Sequence, residues 1–296
     1  MSRTAGSPIV VGIDGSASAK AALDWAVGTA RRRSAPLRLV NATALNMYAS
    51  TWQDPTPPAQ TTEEVAWSIL STALAALEDV DVVVEPHVGT GSPAAVLLEQ
   101  AADAQMVVVG SRGHGDLIGL LLGSTSLQVA MHAPCPVVVV RKPASGQELG
   151  RSAGRVVVGV DGTEVSEAAV RFAFEEADAR GAGLTALHAW TWPESTLDAA
   201  QPPVWESVEG EEDRALLSER LAGWSEKFPD VHVIQRSFQA QPASAIVAES
   251  AGAALTVIGS RGSGGFTGLL LGSVSHTVLH HAGSPVAVVR TGEDQR

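Results

Sequence analysis

The chain has 296 residues, of which 45% are hydrophobic and 18% are charged, and its formal net charge is −12. This composition is typical of a folded protein that is long enough for two domains. The acidic surface repels polyanions, so we expect neither nucleic acid nor an anionic membrane as a partner. The beginning of the sequence has no long apolar segment, which favours the cytoplasm, and the single cysteine, Cys135, excludes an intramolecular disulfide.

The sequence contains an internal repeat. The segment VVGIDGS at 10–16 returns as VVGVDGT at 157–163, an offset of 147 residues, and the later part of each half repeats at an offset of 149. Two halves that begin and end alike indicate a duplicated domain. We therefore predict two domains, 1–143 and 154–296, joined by a polar linker within 141–155.

Each half alternates short aliphatic runs with longer alanine-rich segments. In the first half the runs PIVVGI, LRLVNA, VDVVVEPHV, MVVVG and CPVVVV predict five strands, and segments such as SAKAALDWAVGTARRR have helical spacing. Strands that are apolar at nearly every position are typical of a parallel sheet covered by helices on both faces. We predict two tandem, doubly wound α/β domains of Rossmann-like architecture, each with five parallel strands and four helices. Their ligands should bind beyond the carboxyl ends of the strands, where the strand order reverses.

An aspartate ends the first strand of each half, Asp14 in VGIDGS and Asp161 in VGVDGT. A carboxylate at this edge of the sheet can accept a hydrogen bond from a ribose hydroxyl or help to hold a magnesium ion. The alternative is an N-cap for the first helix, because Gly-Ser or Gly-Thr follows. The two roles do not exclude each other.

A glycine-rich segment follows the fourth strand of each half, GSRGHGDLIGLLLGSTS at 110–126 and GSRGSGGFTGLLLGSVS at 259–275. In both copies it ends where a helix should begin, with serine or threonine as candidate caps. The N–H groups of a first helical turn attract anions, and Gly110, Gly113 and Gly123 would let the backbone approach a phosphate. Alternatively, these glycines only shape tight turns, but two copies with the same spacing favour the phosphate.

Several other signals carry less weight. Trp190, Trp192 and Trp205 are predicted to lie in a proline-rich loop after the second strand, where they either flank a base or pack the loop onto its own domain. His276 and His280 share one face of the last helix, but no acidic third ligand lies nearby, so we expect no metal site there. The sequence has no G-x4-G-K-[ST] segment and thus no P-loop lysine.

The pattern G-x2-G-x9-G-[ST] in both glycine-rich segments resembles the ATP-binding signature of the universal stress protein family. The first-strand segments VGIDGS and VGVDGT and the final PVVVVR and PVAVVR also look like that family. The resemblance covers nearly the whole chain and is strongest to the tandem stress proteins of actinobacteria. It implies one ATP in each half, with or without magnesium, and an internal pseudo-dimer in which the halves pair through their last strands, 136–141 and 285–290. An exposed aliphatic edge strand would otherwise promote aggregation.

The resemblance also implies a role for individual residues. Asp14 and Asp161 would contact the ribose or the metal, the backbone at Ala42 and Ala189, just past the second strands, would meet the adenine, and the glycine motifs would hold the phosphates. Arg112 and Arg261 are candidate charge partners of the phosphates or else solvated surface arginines. The implied cofactor-binding residues are Gly12, Ile13, Asp14, Ala42, Val109, Gly110, Arg112, Gly113, Gly123, Ser124, Thr125 and Ser126 in the first half, and Gly159, Val160, Asp161, Ala189, Ile258, Gly259, Arg261, Gly262, Gly272, Ser273, Val274 and Ser275 in the second.

These observations predict an ATP-binding regulator of a stress response, with slow or no hydrolysis. Each half offers only one aspartate and one arginine near the phosphates, whereas fast phosphoryl transfer needs more groups. The alternative is an ATPase or a nucleotidyl-transferring enzyme of the same architecture. Besides ATP, the expected partners are a second copy in a homodimer of tandem chains and an unidentified regulatory protein. The halves differ at Asn41, where the second has His188, so the two affinities need not be equal.

Overall fold

The protein is described by a computed structural model over residues 6–43, 61–113, 122–141, 149–190, 211–262 and 270–291. The chain divides into two compact units, Met1–Val140 and Arg141–Arg296. Among the helices in the described ranges, none has both the length and the hydropathy that crossing a bilayer would require.

The first unit contains five parallel strands and four helices in its described residues. In chain order they are β1 Ile9–Gly12, α1 Ala17–Arg33, β2 Leu37–Thr43, α2 Thr62–Ala75, β3 Val84–Thr90, α3 Pro93–Gln100, β4 Met106–Gly110, α4 Ser124–His132 and β5 Val137–Val140. The strands pair in the order β3-β2-β1-β4-β5.

The second unit repeats this arrangement in its own described residues. Its elements are β6 Val156–Gly159, α5 Glu164–Arg180, β7 Leu184–Trp190, α6 Glu211–Lys227, β8 Val233–Gln239, α7 Pro242–Glu249, β9 Leu255–Gly259, α8 Ser273–His281 and β10 Val286–Val289. The strands pair in the order β8-β7-β6-β9-β10, again all parallel. The prediction of two tandem, doubly wound α/β domains is confirmed, and the pairing of the halves through their last strands stays a prediction.

The strand order in each unit determines where a ligand can bind. Because parallel crossovers are right-handed, the reversal of direction after the third strand places the first two helices on one face of the sheet and the last two on the other. The strands in the middle of the first sheet, β1 and β4, are almost entirely buried. A crevice therefore opens beyond the carboxyl ends of β1 and β4 in the first unit, and of β6 and β9 in the second.

The third strand differs from its prediction. The apolar run VDVVVEPHV suggested a strand from Val80, but β3 begins at Val84, because the preceding residues form a turn in which the Val82 N–H donates to the Val80 carbonyl at 2.8 Å. The strand lies at the edge of the sheet, and most of its residues are partly or fully exposed. Pro86 is tolerated there because an edge strand needs only one side of its backbone paired.

The end of the predicted linker is part of the second unit. The Gly150 N–H donates to the Ala251 carbonyl at 2.8 Å. The buried Ser152 hydroxyl lies 2.6 Å from the buried carboxylate of Glu249 and 3.0 Å from the Thr185 hydroxyl. A segment held by buried hydrogen bonds is structured rather than a free spacer, so the linker is shorter than 141–155.

Candidate functional site

The helices that follow the glycine-rich segments begin without a side-chain cap. In α1 the N-cap Ser16 accepts from the N–H group of the third helical residue, and Ser92 does the same for α3. The N-caps of α4 and α8 are Gly123 and Gly272, which make no such bond. The prediction that serine or threonine caps these helices is therefore wrong. Because the first N–H groups of a helix have no partner within it, each helix presents donors and a positive dipole end to a ligand.

Two hydrogen bonds fix the start of α4 against the end of β4. The Gly123 N–H donates to the Ser111 carbonyl at 2.8 Å, and the Ser126 hydroxyl donates to the Gly110 carbonyl at 2.6 Å. The second unit repeats both bonds at 2.8 and 2.7 Å, the latter from Ser275. The protons of these two hydroxyls are thus used inside the protein. What Ser126 and Ser275 can donate to a ligand is their backbone N–H.

The first glycine of each motif is explained by packing. A Cβ on Gly110 would lie 2.5 Å from the Ser18 hydroxyl oxygen and 2.7 Å from the Ser18 carbonyl carbon, and a Cβ on Gly259 would lie 2.8 Å from Val165 Cγ1. Such distances are too short for any side chain at either position. These two glycines therefore let α1 and α5 approach the ends of β4 and β9, a role distinct from the phosphate approach that the sequence suggested.

The aspartates approach the glycine motifs. Asp14 Oδ1 accepts from the Ser16 N–H at 2.9 Å, while Oδ2 faces the loop, where a Cβ added to Gly113 would lie only 2.7 Å away. Asp161 makes the same two approaches, at 3.0 Å to the N–H group two residues ahead and at 2.6 Å to a Cβ placed on Gly262. The N-caps are the residues two positions later, so the N-cap alternative for the aspartates is wrong.

The backbone of Ala42 points into the crevice. In a parallel strand, the N–H and C=O of one residue point to the same side and successive residues alternate. The Val40 carbonyl accepts from the Ile13 N–H at 2.8 Å and therefore faces β1, and the Thr43 carbonyl accepts from Gly91 on the opposite side. Ala42 thus faces the β1 side, beyond the last β1–β2 pair. From the sequence, Ala42 was expected just past the second strand, whereas the residue lies within β2.

The second unit has the same arrangement at Ala189. The Leu187 carbonyl accepts from the Val160 N–H at 2.9 Å, and the Trp190 carbonyl accepts from Ala240 on the opposite side. Ala189, within β7, therefore points toward the space beyond the end of β6. Each unit offers a backbone donor and acceptor side by side at this position.

Asn41 and His188 keep that position open. In a continuing ladder the next carbonyl of the first strand would accept from the N–H of Ala42 or Ala189. That carbonyl instead accepts from Asn41 Nδ2 at 2.5 Å in the first unit and from His188 Nδ1 at 2.7 Å in the second. A carbonyl can only accept, so His188 carries a proton on Nδ1. The sequence shows Asn41 and His188 as a difference between the halves, but it does not predict that both side chains bond to the equivalent carbonyl.

A cavity lies over the switch point of each unit, about 260 Å³ in the first and about 420 Å³ in the second. All of the predicted cofactor-binding residues of each half line the cavity of that half. The lining residues that sequence reasoning left out of its site are Ala19, Val40, Asn41, Pro93 and Leu97 in the first unit and Ser166, Leu187, His188, Trp190, Pro242 and Ile246 in the second. All five of these residues in the first unit correspond to lining residues of the second at the repeat offsets of 147 and 149, so a comparison of the two halves was the available signal.

The arginines give the second cavity a positive end. Arg261 lines the cavity, and Arg290 lies near it and donates to the Leu270 carbonyl at 2.6 Å, just before the start of α8. Burial and the charge of Arg261 lower the pKa of Arg290 to about 10, so Arg290 remains charged at neutral pH. An anion bound between loop and helix would relieve their repulsion. Arg112 lines the first cavity, and its backbone N–H donates to the Ser18 hydroxyl at 3.2 Å.

Two further predictions concern aromatic residues and histidines. Trp190 is the last residue of β7 and lines the second cavity, so its assignment to a loop is wrong, while Trp192 and Trp205 lie outside the described residues. The rings of His276 and His280 are 4.4 Å apart, and burial and the neighbouring positive groups lower the pKa of His280. Within the described ranges, no group of three or more potential ligands is arranged for a metal ion.

Comparisons with known proteins agree with this architecture. Residues 7–141 and 153–290 each match the universal stress protein family. A universal stress protein of Mycolicibacterium smegmatis is 42% identical over 296 residues, which cover 95% of this chain and 96% of the relative. One of Mycobacterium tuberculosis is 39% identical over 292 residues, with the same coverage. The crystal structure of a universal stress protein from Archaeoglobus fulgidus has a TM-score of 0.69 over 96% of this chain and 98% of that chain, and at 20% identity this likeness concerns the fold.

Proposed function

The chain belongs to the universal stress protein family, and from this premise we propose that it is a nucleotide-binding regulator of a stress response that holds one ATP in each unit. The carrying observation is that each cavity joins two kinds of backbone group. The uncapped start of α4 or α8 lies at one part of the lining, and the outward-facing backbone of Ala42 or Ala189 lies at another.

The two groups match the two ends of ATP. An adenine ring presents a donor next to an acceptor on one edge, which is complementary to the N–H and C=O of one extended residue. A phosphate chain matches the N–H groups and dipole of a helix start, with Arg112 or Arg261 as a charge partner. Asp14 and Asp161 also line the cavities, and we assign them to the ribose or to a magnesium ion held with the phosphates.

Binding without fast turnover is the reading that the cavity chemistry favours. Among the described residues that line each cavity there is one carboxylate and one guanidinium, and no lysine. Asp14 already accepts a backbone hydrogen bond, which limits it as a general base. The imidazole of His188 sits beside Ala189, at the end that we assign to the base. Rapid phosphoryl transfer needs an oriented nucleophile and several positive groups around the γ-phosphate.

Equilibrium dialysis of the full chain against labelled ATP, with a hydrolysis assay on the same samples, tests this proposal. We expect one nucleotide for each unit and a turnover well below about 1 s⁻¹, the low end of typical enzyme rates. The absence of binding at millimolar ATP would contradict the proposal. Turnover of tens per second would instead support the alternative, an ATPase or nucleotidyl-transferring enzyme.

The cellular context follows from the same proposal. We place the protein in the cytoplasm, as a homodimer of tandem chains whose nucleotide state is read by another protein. With a net charge of −12 it is not expected to bind nucleic acid or an anionic membrane. Sedimentation of the full chain with and without ATP distinguishes the dimer from a monomer.

A further inference from the structure

The two cavities differ most at the end assigned to the base. Trp190 and His188 line the second cavity. The residue that corresponds to Trp190 in the repeat is Thr43, which is not among the described residues that line the first cavity. Thr43 is buried, and its hydroxyl donates to the Gly89 carbonyl at 3.3 Å. The second unit thus has an aromatic wall where the first has a threonine turned to its own sheet.

The position of Trp190 brings its ring close to a base bound at Ala189. Trp190 directly follows Ala189 at the end of β7, and both residues line the same cavity. Its backbone carbonyl is paired with the Ala240 N–H at 3.0 Å, which holds the residue in the strand. His188, two residues before Trp190 in β7, lies on the same face of the sheet, where the bond from its Nδ1 to the Val160 carbonyl fixes the imidazole. A purine bound to the Ala189 backbone would therefore lie beside these two rings.

The expected gain from the ring exceeds the expected loss elsewhere in the second site. Stacking of a base on an aromatic side chain strengthens binding by roughly 5- to 150-fold. The second site has Val274 where the first has Thr125, and the missing neutral hydrogen bond weakens binding by only about 2- to 12-fold. Asn41 and His188 make equivalent bonds, so their exchange leaves the backbone donor and acceptor in place in both units.

We propose that the two nucleotide sites are unequal and that the second, in which Trp190 stacks on the base, fills first. This inference rests on the proposed function and adds an order of filling to it. At ATP concentrations between the two dissociation constants the chain carries one nucleotide, and at concentrations above both it carries two. The protein therefore responds to nucleotide concentration in two steps, with the second unit loaded over the lower range and the first unit reporting high concentrations.

Calorimetric titration of the full chain with ATP tests the order of filling. We expect two dissociation constants about tenfold apart in the unmodified protein. Gly272→Ala should remove the tighter one and Gly123→Ala the weaker one, because each places a methyl group at the start of the helix of its own site. Trp190→Thr should weaken the second site until its constant equals or exceeds that of the first, because only the loss at Val274 then remains, whereas Trp190→Phe, which keeps a ring, should preserve most of the difference.

A matched control is available at Trp67, which is exposed on α2 and lines neither cavity. Trp67→Thr should leave both constants unchanged. Equal constants in the unmodified protein, or loss of the tighter one in Gly123→Ala, would overturn the inference while leaving nucleotide binding intact. These two observations do not depend on the folding of a Trp190 variant. A complete absence of ATP binding would overturn the proposed function, and this inference with it.

Discussion

A methyl group added at Gly272 tests the phosphate end of the second site with little disturbance of the protein. Gly272 has φ −73° and ψ 159°, a conformation that alanine adopts readily. The new Cβ would lie 3.4 Å from Arg261 Cα, 3.6 Å from the Ser260 carbonyl oxygen and 3.7 Å from the Gly262 nitrogen, which are ordinary contact distances. The methyl group therefore fills the space between the glycine motif and the first turn of α8 without a clash.

The size of the effect follows from the bonds that the methyl group blocks. A charge-assisted hydrogen bond from a backbone N–H to phosphate contributes about 1.5 to 3 kcal/mol. At about 1.4 kcal/mol per factor of ten, the loss of one such bond weakens ATP binding by roughly 10- to 150-fold. Alanine is a poorer N-cap than glycine, which costs at most about 1 kcal/mol of folding free energy. The variant should thus stay folded and lose one nucleotide from its measured stoichiometry.

Equilibrium dialysis against ATP, together with a thermal unfolding curve, measures both effects in Gly272→Ala. The control is Gly223→Ala in the exposed part of α6, where an added Cβ meets no atom within 4 Å. That variant should bind ATP as the unmodified protein does and should be more stable by about 0.5 to 1 kcal/mol, because alanine favours a helix. Unchanged affinity and stoichiometry in Gly272→Ala would refute the assignment of the phosphates to the start of α8.

Three further predictions concern the second unit. Glu249→Ala removes the buried acceptor of the Ser152 hydroxyl and should lower the free energy of unfolding by about 1.5 to 3 kcal/mol in a denaturant titration; a loss near zero would show that the bond is unimportant. Burial, followed by the charge of His276, lowers the pKa of His280 below 6.5. The folded unit therefore binds fewer protons than the unfolded chain near and below pH 6.5, and it loses stability as the pH falls from neutral through that value. His280→Met, which copies the first unit, should reduce the drop in melting temperature between about pH 7.5 and about pH 5.5, and an equal drop would contradict the stated cause. Arg290→Met should weaken ATP binding about 3- to 10-fold but AMP binding less, since a longer phosphate chain carries more charge, and equal losses for the two nucleotides would exclude a role for its charge.

Much of the fold could be predicted because its causes are local in sequence. The valine-rich runs that became β4 and β5 are buried at every residue, which is what continuous apolar strands indicated. The repeat then required the second unit to have the same strand order as the first. The prediction was wrong at β3, where an apolar run began four residues before the strand. Every residue of β3 is partly or fully exposed, so hydrophobicity does not mark where this strand begins.

The candidate site could be located from sequence, but the work of its individual residues could not. The spacing of the glycines does not reveal that Gly110 gives room to Ser18 of α1, because that contact depends on how a distant helix crosses the sheet. The direction in which Ala42 points depends on its register with β1 and on where β1 ends. The roles of Asn41 and Trp190 likewise depend on the structure, because each residue lies next to Ala42 or Ala189 in its strand and lines the cavity or bonds to the neighbouring strand there.

A crystal structure of the full chain grown with excess ATP tests the central claim most directly. The account predicts phosphate oxygens within hydrogen-bonding distance of the first N–H groups of α4 and α8, with adenine against the backbone of Ala42 and Ala189. Nucleotide bound elsewhere on the chain, or helix starts that contact only solvent under these conditions, would contradict it.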